Sequence, residues 1–122
     1  YETVNDHQWV ENDFLPRVQQ RGAEIIKARG ASSASSAARA ACETVRAVEH
    51  PTRSGDVFNA AIMSDGAYDI PAGIFSGFPL ISDGAGNVEI VRDYVLSDFA
   101  KNGLKKTADE LLEEKNLVKD LI

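Results

Sequence analysis

Phe14, Val18, Ala23, Ile25 and Ile26 recur at helical spacing while Arg17, Gln20, Glu24 and Lys27 take the intervening positions, which predicts an amphipathic helix. Upstream, Asn5 followed by Gln8 three residues later has the form of a reciprocal helix cap. Pro16 lacks an N–H and restricts Leu15, so a short turn over residues 7–11 and a restart near residues 14–16 are expected. Gly30 then interrupts the pattern, and Ala31, Ser32 and Ser33 form a cap-rich joint. Beyond it an alanine-rich helix is expected from about Ser33 to Val48, with Ala34, Ala37, Ala38, Ala41, Cys42, Val45 and Val48 along one side. Side chains that small let another backbone approach closely, and Cys42 is expected to be a buried, inert member of the stripe.

After the turn of residues 50–56 the pattern changes period. Residues 57–63 and 74–81 read as strands, and the turn residues Asp83, Gly84, Gly86 and Asn87 connect the second to a third run at 88–91 as an antiparallel hairpin. Pro79 cannot donate to a ladder, which places it at an edge or a bulge. A last amphipathic helix over about 97–121 carries Leu104, Ala108, Leu111, Leu112, Lys115 and Val118 near heptad spacing, weakened by Gly103. The order of elements defines an α+β fold, with helices packed on a small antiparallel sheet.

Composition narrows the function more than it names it. Thirteen basic residues against nineteen acidic ones give a net charge of −6 over 122 residues, the wrong sign for a phosphate backbone, so no nucleic-acid partner is expected. A chain this long is expected to form one compact domain. No apolar run approaches the roughly 18 residues that span a bilayer, and no leader-like segment opens the chain, so neither a membrane partner nor a retained signal peptide is expected. Because it begins at Tyr1, the chain is expected to be cut, processed or part of something longer. One cysteine forms neither an internal disulfide nor a cysteine-based zinc site, which favours a reducing compartment.

Candidate chemistry is sparse. His7 lies at a helix entry and His50 at a helix exit beside Pro51, neither with a neighbour in sequence that would orient it as a base, so exposed capping or packing is expected of both. Asp109, Glu110, Glu113, Glu114 and Asp120 alternate with Lys105, Lys106, Lys115 and Lys119, a salt-laced helix face and not a metal site. The glycines of residues 84–87 precede no helix and no Gly-Lys pair, so they form a hairpin turn, not a phosphate loop. Spacing alone supports a soluble α+β domain with no catalytic residue and no metal site.

One long segment adds more. Gln19-Gln20-Arg21-Gly22-Ala23-Glu24-Ile25-Ile26-Lys27-Ala28-Arg29-Gly30-Ala31-Ser32-Ser33-Ala34-Ser35-Ser36-Ala37-Ala38 closely resembles the helix-joint-helix of the malate dehydrogenase family, in its cytosolic-type branch. The likeness extends back through Phe14-Leu15-Pro16-Arg17-Val18 and forward through Ser64-Asp65-Gly66, Tyr68-Asp69-Ile70-Pro71, Phe78-Pro79 and Thr107-Ala108-Asp109-Glu110-Leu111, with departures after Val48 and around residues 83–87. It implies that residues 1–122 are part of the C-terminal, substrate-side domain of a malate dehydrogenase, with a lactate/malate dehydrogenase C-terminal-domain-like fold and the nucleotide-binding domain absent. The parent would interconvert malate and oxaloacetate by hydride transfer with NAD or NADP, as a cytoplasmic homodimer whose C-terminal half pairs with its own N-terminal half.

The resemblance also implies absences. The family's catalytic histidine lies in a Gly-Asn-His-Ser motif, and neither it, its aspartate partner nor the three substrate-binding arginines has a match in this sequence. The fragment alone is therefore expected to be inactive and to bind no cofactor. What carries over is the joint: Ser32, Ser33 and Ser36 are implied to line the substrate and nicotinamide pocket, where a small hydroxyl can hydrogen-bond a carboxylate or amide. Ser32 and Ser33 read equally well as helix caps, and Ser36 as a residue packed in the first turn. Arg21 and Arg29 suit an anion, but with Glu24 nearby they read as ion-pair partners. The alternative to an enzyme portion is a non-catalytic assembly or binding module of the same fold.

Overall fold

A computed structural model of the chain describes residues 4–32 and 34–121. The elements run α1 (His7–Trp9), a π-helical turn (Val10–Phe14), α2 (Leu15–Arg29), α3 (Ala34–Glu49), β1 (Phe58–Met63), a 3-10 turn (Ala67–Asp69), β2 (Phe75–Ser82), β3 (Val88–Ile90) and α4 (Asp98–Leu117). Where composition led to one compact domain, the chain divides into two compact units, Tyr1–Ala41 and Cys42–Ile122. The division is physically reasonable, because α1, α2 and α3 bury no side chain while the second unit contains a core.

In the first unit Asp6, not Asn5, is the cap: its carboxylate accepts the Trp9 N–H at 2.9 Å. Asn5 sits at φ 45°, away from the extended backbone that a cap requires. The expected break before Pro16 is absent. The Leu15 N–H instead reaches back five residues to the Val10 carbonyl, and this widened turn accommodates the proline, whose ring would otherwise press on the carbonyl four residues before it. The helix ends as expected, with Gly30 left-handed at φ 72° and its N–H on the Ile26 carbonyl at 2.8 Å. The predicted apolar face lies on α2 but is not covered, for Phe14, Val18 and Ile26 are all exposed.

The stripe on α3 is likewise exposed over residues 34–46, and Cys42 with it, contrary to the expected burial. Small side chains remove little apolar area from water, so burying them gains far less than burying the phenylalanine and isoleucines that make the core.

That core belongs to the second unit. The sheet has the order β1-β2-β3, antiparallel throughout, with Phe58 opposite Leu80 and Leu80 opposite Ile90. Phe78, Leu80 and Ser82 alternate onto the inner face of β2, and α4 supplies Ala108, flanked by Leu104, Leu111 and Leu112. Phe78 and Leu80 are fully buried, and Ile70 and Ile74, on either side of the 71–73 turn, close the cluster. Ser97 caps α4 by accepting the Ala100 N–H at 3.2 Å, and the helix stops at Leu117, short of the expected residue 121.

Pro79 departs from expectation, since it lies in the central strand. The register places it opposite Val91, just beyond β3, and the Val91 N–H donates to its carbonyl at 2.9 Å. The return bond of that pair would need a Pro79 N–H. The Tyr68 hydroxyl donates to the Val91 carbonyl in its place.

Candidate functional site

The serine joint lies within the first unit. Left-handed Gly30 turns the chain out of α2, Ser32 follows on exposed backbone, and Ser36 is exposed in the first turn of α3. Ser33 lies outside the described residues, and so does its expected role as a cap. The joint therefore brings Ser32 and Ser36, with Ser35 beside the latter, to the start of one sixteen-residue helix, whose positive end favours carboxylates and polar amides. Of the two arginines, Arg21 pairs with Glu24 at 3.1 Å as expected, with both side chains largely in water. Arg29 is exposed in the last turn of α2 and forms no ion pair among the described residues.

His7 and His50 are both exposed at helix ends, one opening α1 and the other following α3. On the acidic run of α4 Lys105 pairs with Asp109 at 2.8 Å and Lys106 lies 4.0 Å from Glu110, as the spacing predicts, whereas Lys115 donates to the Gly73 carbonyl at 2.9 Å. Among the described residues no cluster of three or more potential ligands is placed to hold a metal ion. Nor is any described helix long and apolar enough to cross a membrane.

Residues 83–87 make the hairpin turn expected of them. The Asp83 carboxylate accepts from Ala85 N–H at 2.7 Å, Asn87 N–H at 3.2 Å and the Asn87 side-chain amide at 2.6 Å. These bonds, the Asn87 amide first, hold the Asp83 carboxyl below the usual carboxylate range. Asp65 is lowered as well, chiefly by its hydrogen bond from Arg92.

One feature of the second unit was not legible in the sequence. A groove of about 600 Å³ lies between the 3-10 turn, the segment after β3 and α4, lined by Tyr68, Asp69, Ile70, Tyr94, Lys101 and Leu104 among others. Tyr68 and Asp69 both hold positive φ, 54° and 60°, which costs about 1 to 3 kcal/mol for each residue that is not glycine. The turn-forming composition of residues 64–71 marked the bend but not the strain.

In chain order the described residues form a helix-joint-helix followed by an antiparallel sheet backed by α4. Residues 1–122 match the family of the lactate/malate dehydrogenase alpha/beta C-terminal domain, and the chain belongs to it. Within that family the sequence is 50% identical over 121 residues to a malate dehydrogenase of Magnetococcus marinus, an alignment that takes in 99% of this chain and 37% of that protein. The crystal structure of malate dehydrogenase from Naegleria fowleri superposes with a TM-score of 0.89 at 40% identity, over 98% of this chain and 36% of that one. Trichomonas vaginalis lactate dehydrogenase in complex with NADH and oxamate gives a TM-score of 0.86 at 27% identity, over 97% and 36%. The chain thus spans little more than a third of the length of the relatives it matches.

Proposed function

We propose that the chain is the C-terminal portion of a malate dehydrogenase that interconverts malate and oxaloacetate by hydride transfer with a nicotinamide cofactor. The observation that carries this reading is the 50% identity to a malate dehydrogenase across nearly the whole chain. The fold supports a substrate-side role and not a cofactor-holding one. Dinucleotides are cradled where a parallel strand enters a helix through a glycine-rich turn. Here the sheet is antiparallel and the glycines of residues 84–87 join two of its strands, so the described residues do not fit a pyrophosphate. Bound in the parent, the cofactor supplies or accepts the hydride. In this reading the chain contributes a wall of small hydroxyls at Ser32, Ser33 and Ser36, able to hydrogen-bond a carboxylate or amide while leaving room for a flat ring.

The same reading makes the parent a cytoplasmic homodimer without nucleic-acid or membrane partners, using NAD or NADP, with residues 1–122 completing a domain that packs on its own nucleotide-binding half. Support comes from the net charge of −6 and from the apolar side chains left exposed on the π-helical turn and α2, Phe14, Val18 and Ile26, which a neighbouring domain or subunit would cover. In the test, NADH and NADPH absorbance are each followed with oxaloacetate for the chain joined to its nucleotide-binding half. Oxaloacetate-dependent turnover that exceeds turnover of pyruvate supports the proposal, and its absence in a folded protein refutes it.

A further inference from the structure

We propose that the turn of residues 64–69 is a latch that holds the segment of residues 91–96 closed against the groove beside α4, with the Tyr68 hydroxyl standing in for the ladder donor that Pro79 lacks. Four observations converge on it. First, Pro79 and Val91 face each other as a hydrogen-bonded antiparallel pair, which normally exchanges both backbone bonds, and here only one of the two can form. The remaining Val91 carbonyl would be an orphan at the exit of β3, and the Tyr68 hydroxyl fills it. Second, the adjoining residue is tied from the same turn, since Arg92 pairs with Asp65. Two successive residues of the segment are thus bound to two residues three apart on one turn.

Third, the turn is built to present these groups. Buried Ser64 donates to the Ile70 carbonyl at 2.8 Å and accepts the Gly66 N–H at 3.1 Å, while Asp65 accepts the Ala67 N–H at 3.1 Å. Those bonds hold Tyr68 and Asp69 in their left-handed conformations, φ 54° and 60°. Strain of this kind persists only where the surroundings over-determine it, and here they aim a phenol across the sheet edge. Fourth, what the latch holds is irregular and bears on the groove. Residues 91–97 form no helix or strand, Val95 is 98% exposed, and Tyr94, Val95 and Leu96 line the groove opposite Tyr68 and Ile70. Releasing Val91 and Arg92 frees the segment up to Ser97, the cap of α4, and widens the groove.

Residue-resolved amide hydrogen exchange of the 122-residue chain tests this. Tyr68→Phe keeps the ring and removes the donor, and should speed exchange of the Val91 amide, which donates to the Pro79 carbonyl, about fivefold while β1 amides stay unchanged. Pro79→Ala in the same background restores a backbone donor, so the double variant should return to within twofold of the parent chain, with the new amide at position 79 protected. Asp65→Asn should also speed exchange of the Val91 amide, without rescue by Pro79→Ala. Unaltered exchange in folded Tyr68→Phe overturns the proposal, and so does a double variant no slower than the single one. Should Tyr68→Phe fail to fold, the double variant decides alone: protection at position 79 supports the latch, and a freely exchanging amide there overturns it.

Discussion

Ser82→Ala removes one oxygen and should weaken the second unit measurably. The Ser82 hydroxyl is 7% exposed at residue level, donates to the Val48 carbonyl at 2.6 Å and accepts the Gly84 N–H at 3.0 Å. It therefore joins the end of α3 to the β2–β3 turn. The backbone of the same residue adds a reciprocal pair with Thr52, its N–H on Thr52 Oγ1 at 2.8 Å and its carbonyl accepting the Thr52 N–H at 2.9 Å. Alanine leaves the Thr52 pair intact but strips a partner from both Val48 and Gly84. Each lost partner costs about 1 kcal/mol where water can enter and up to about 3 where it cannot. Val48 and Gly84 are half-buried, which favours the lower figure, for a total of about 2 kcal/mol. Urea unfolding should show the midpoint falling by about 1 M with an unchanged slope. A midpoint within about 0.2 M of the parent chain would show that these bonds are replaced by water at no cost, and the reasoning would fail.

Gly84→Ala should be worse: the added carbon would sit 2.5 Å from Pro51 Cδ and 2.7 Å from Pro51 N at φ 79°, so a loss of roughly 3 kcal/mol or more is expected by urea unfolding. Gly86→Ala, with φ 91° and open space, carries only the conformational part of that cost and should be visibly milder. The lowered carboxyls of Asp65 and Asp83 contribute stability that is fully present above the ordinary carboxylate range and is lost as pH falls through their folded values, so the urea midpoint should drop below about pH 4. Asp83→Asn should flatten that drop, and an equally steep one would refute the assignment. In the longer parent, Ser36→Leu should cut turnover more than stability, and unchanged kinetics would return that residue to a structural role.

The sequence revealed most where a local rule had no competitor. Gly30 ended α2, Asp83 and Asn87 closed the hairpin, and lysines four residues before acids salted α4, because each effect is settled within a few residues. It misled where the outcome depended on partners far along the chain. Pro79 is tolerated in a central strand only because β3 ends opposite it and a tyrosine 11 positions earlier supplies a donor, a compensation that no local pattern shows. The burial expected of Cys42 is not met, since that residue is exposed on α3 as Val18 and Ile26 are on α2. The serine joint was legible locally as a break between two helices, and its pocket role through family resemblance alone. Its backbone geometry agrees with a turn between helices, while the pocket role of Ser32, Ser33 and Ser36 stays a proposal for kinetics to test.

The central claim is that these residues complete a malate dehydrogenase without carrying its catalytic base or cofactor cradle. NADH and NADPH absorbance in the presence of oxaloacetate, followed for the purified 122-residue chain and for the longer protein containing it, tests both halves at once. The account predicts turnover by the longer protein and none by the chain alone. Turnover by the chain that scales with its concentration and survives removal of trace full-length enzyme would contradict it, as would a folded longer protein that leaves oxaloacetate untouched.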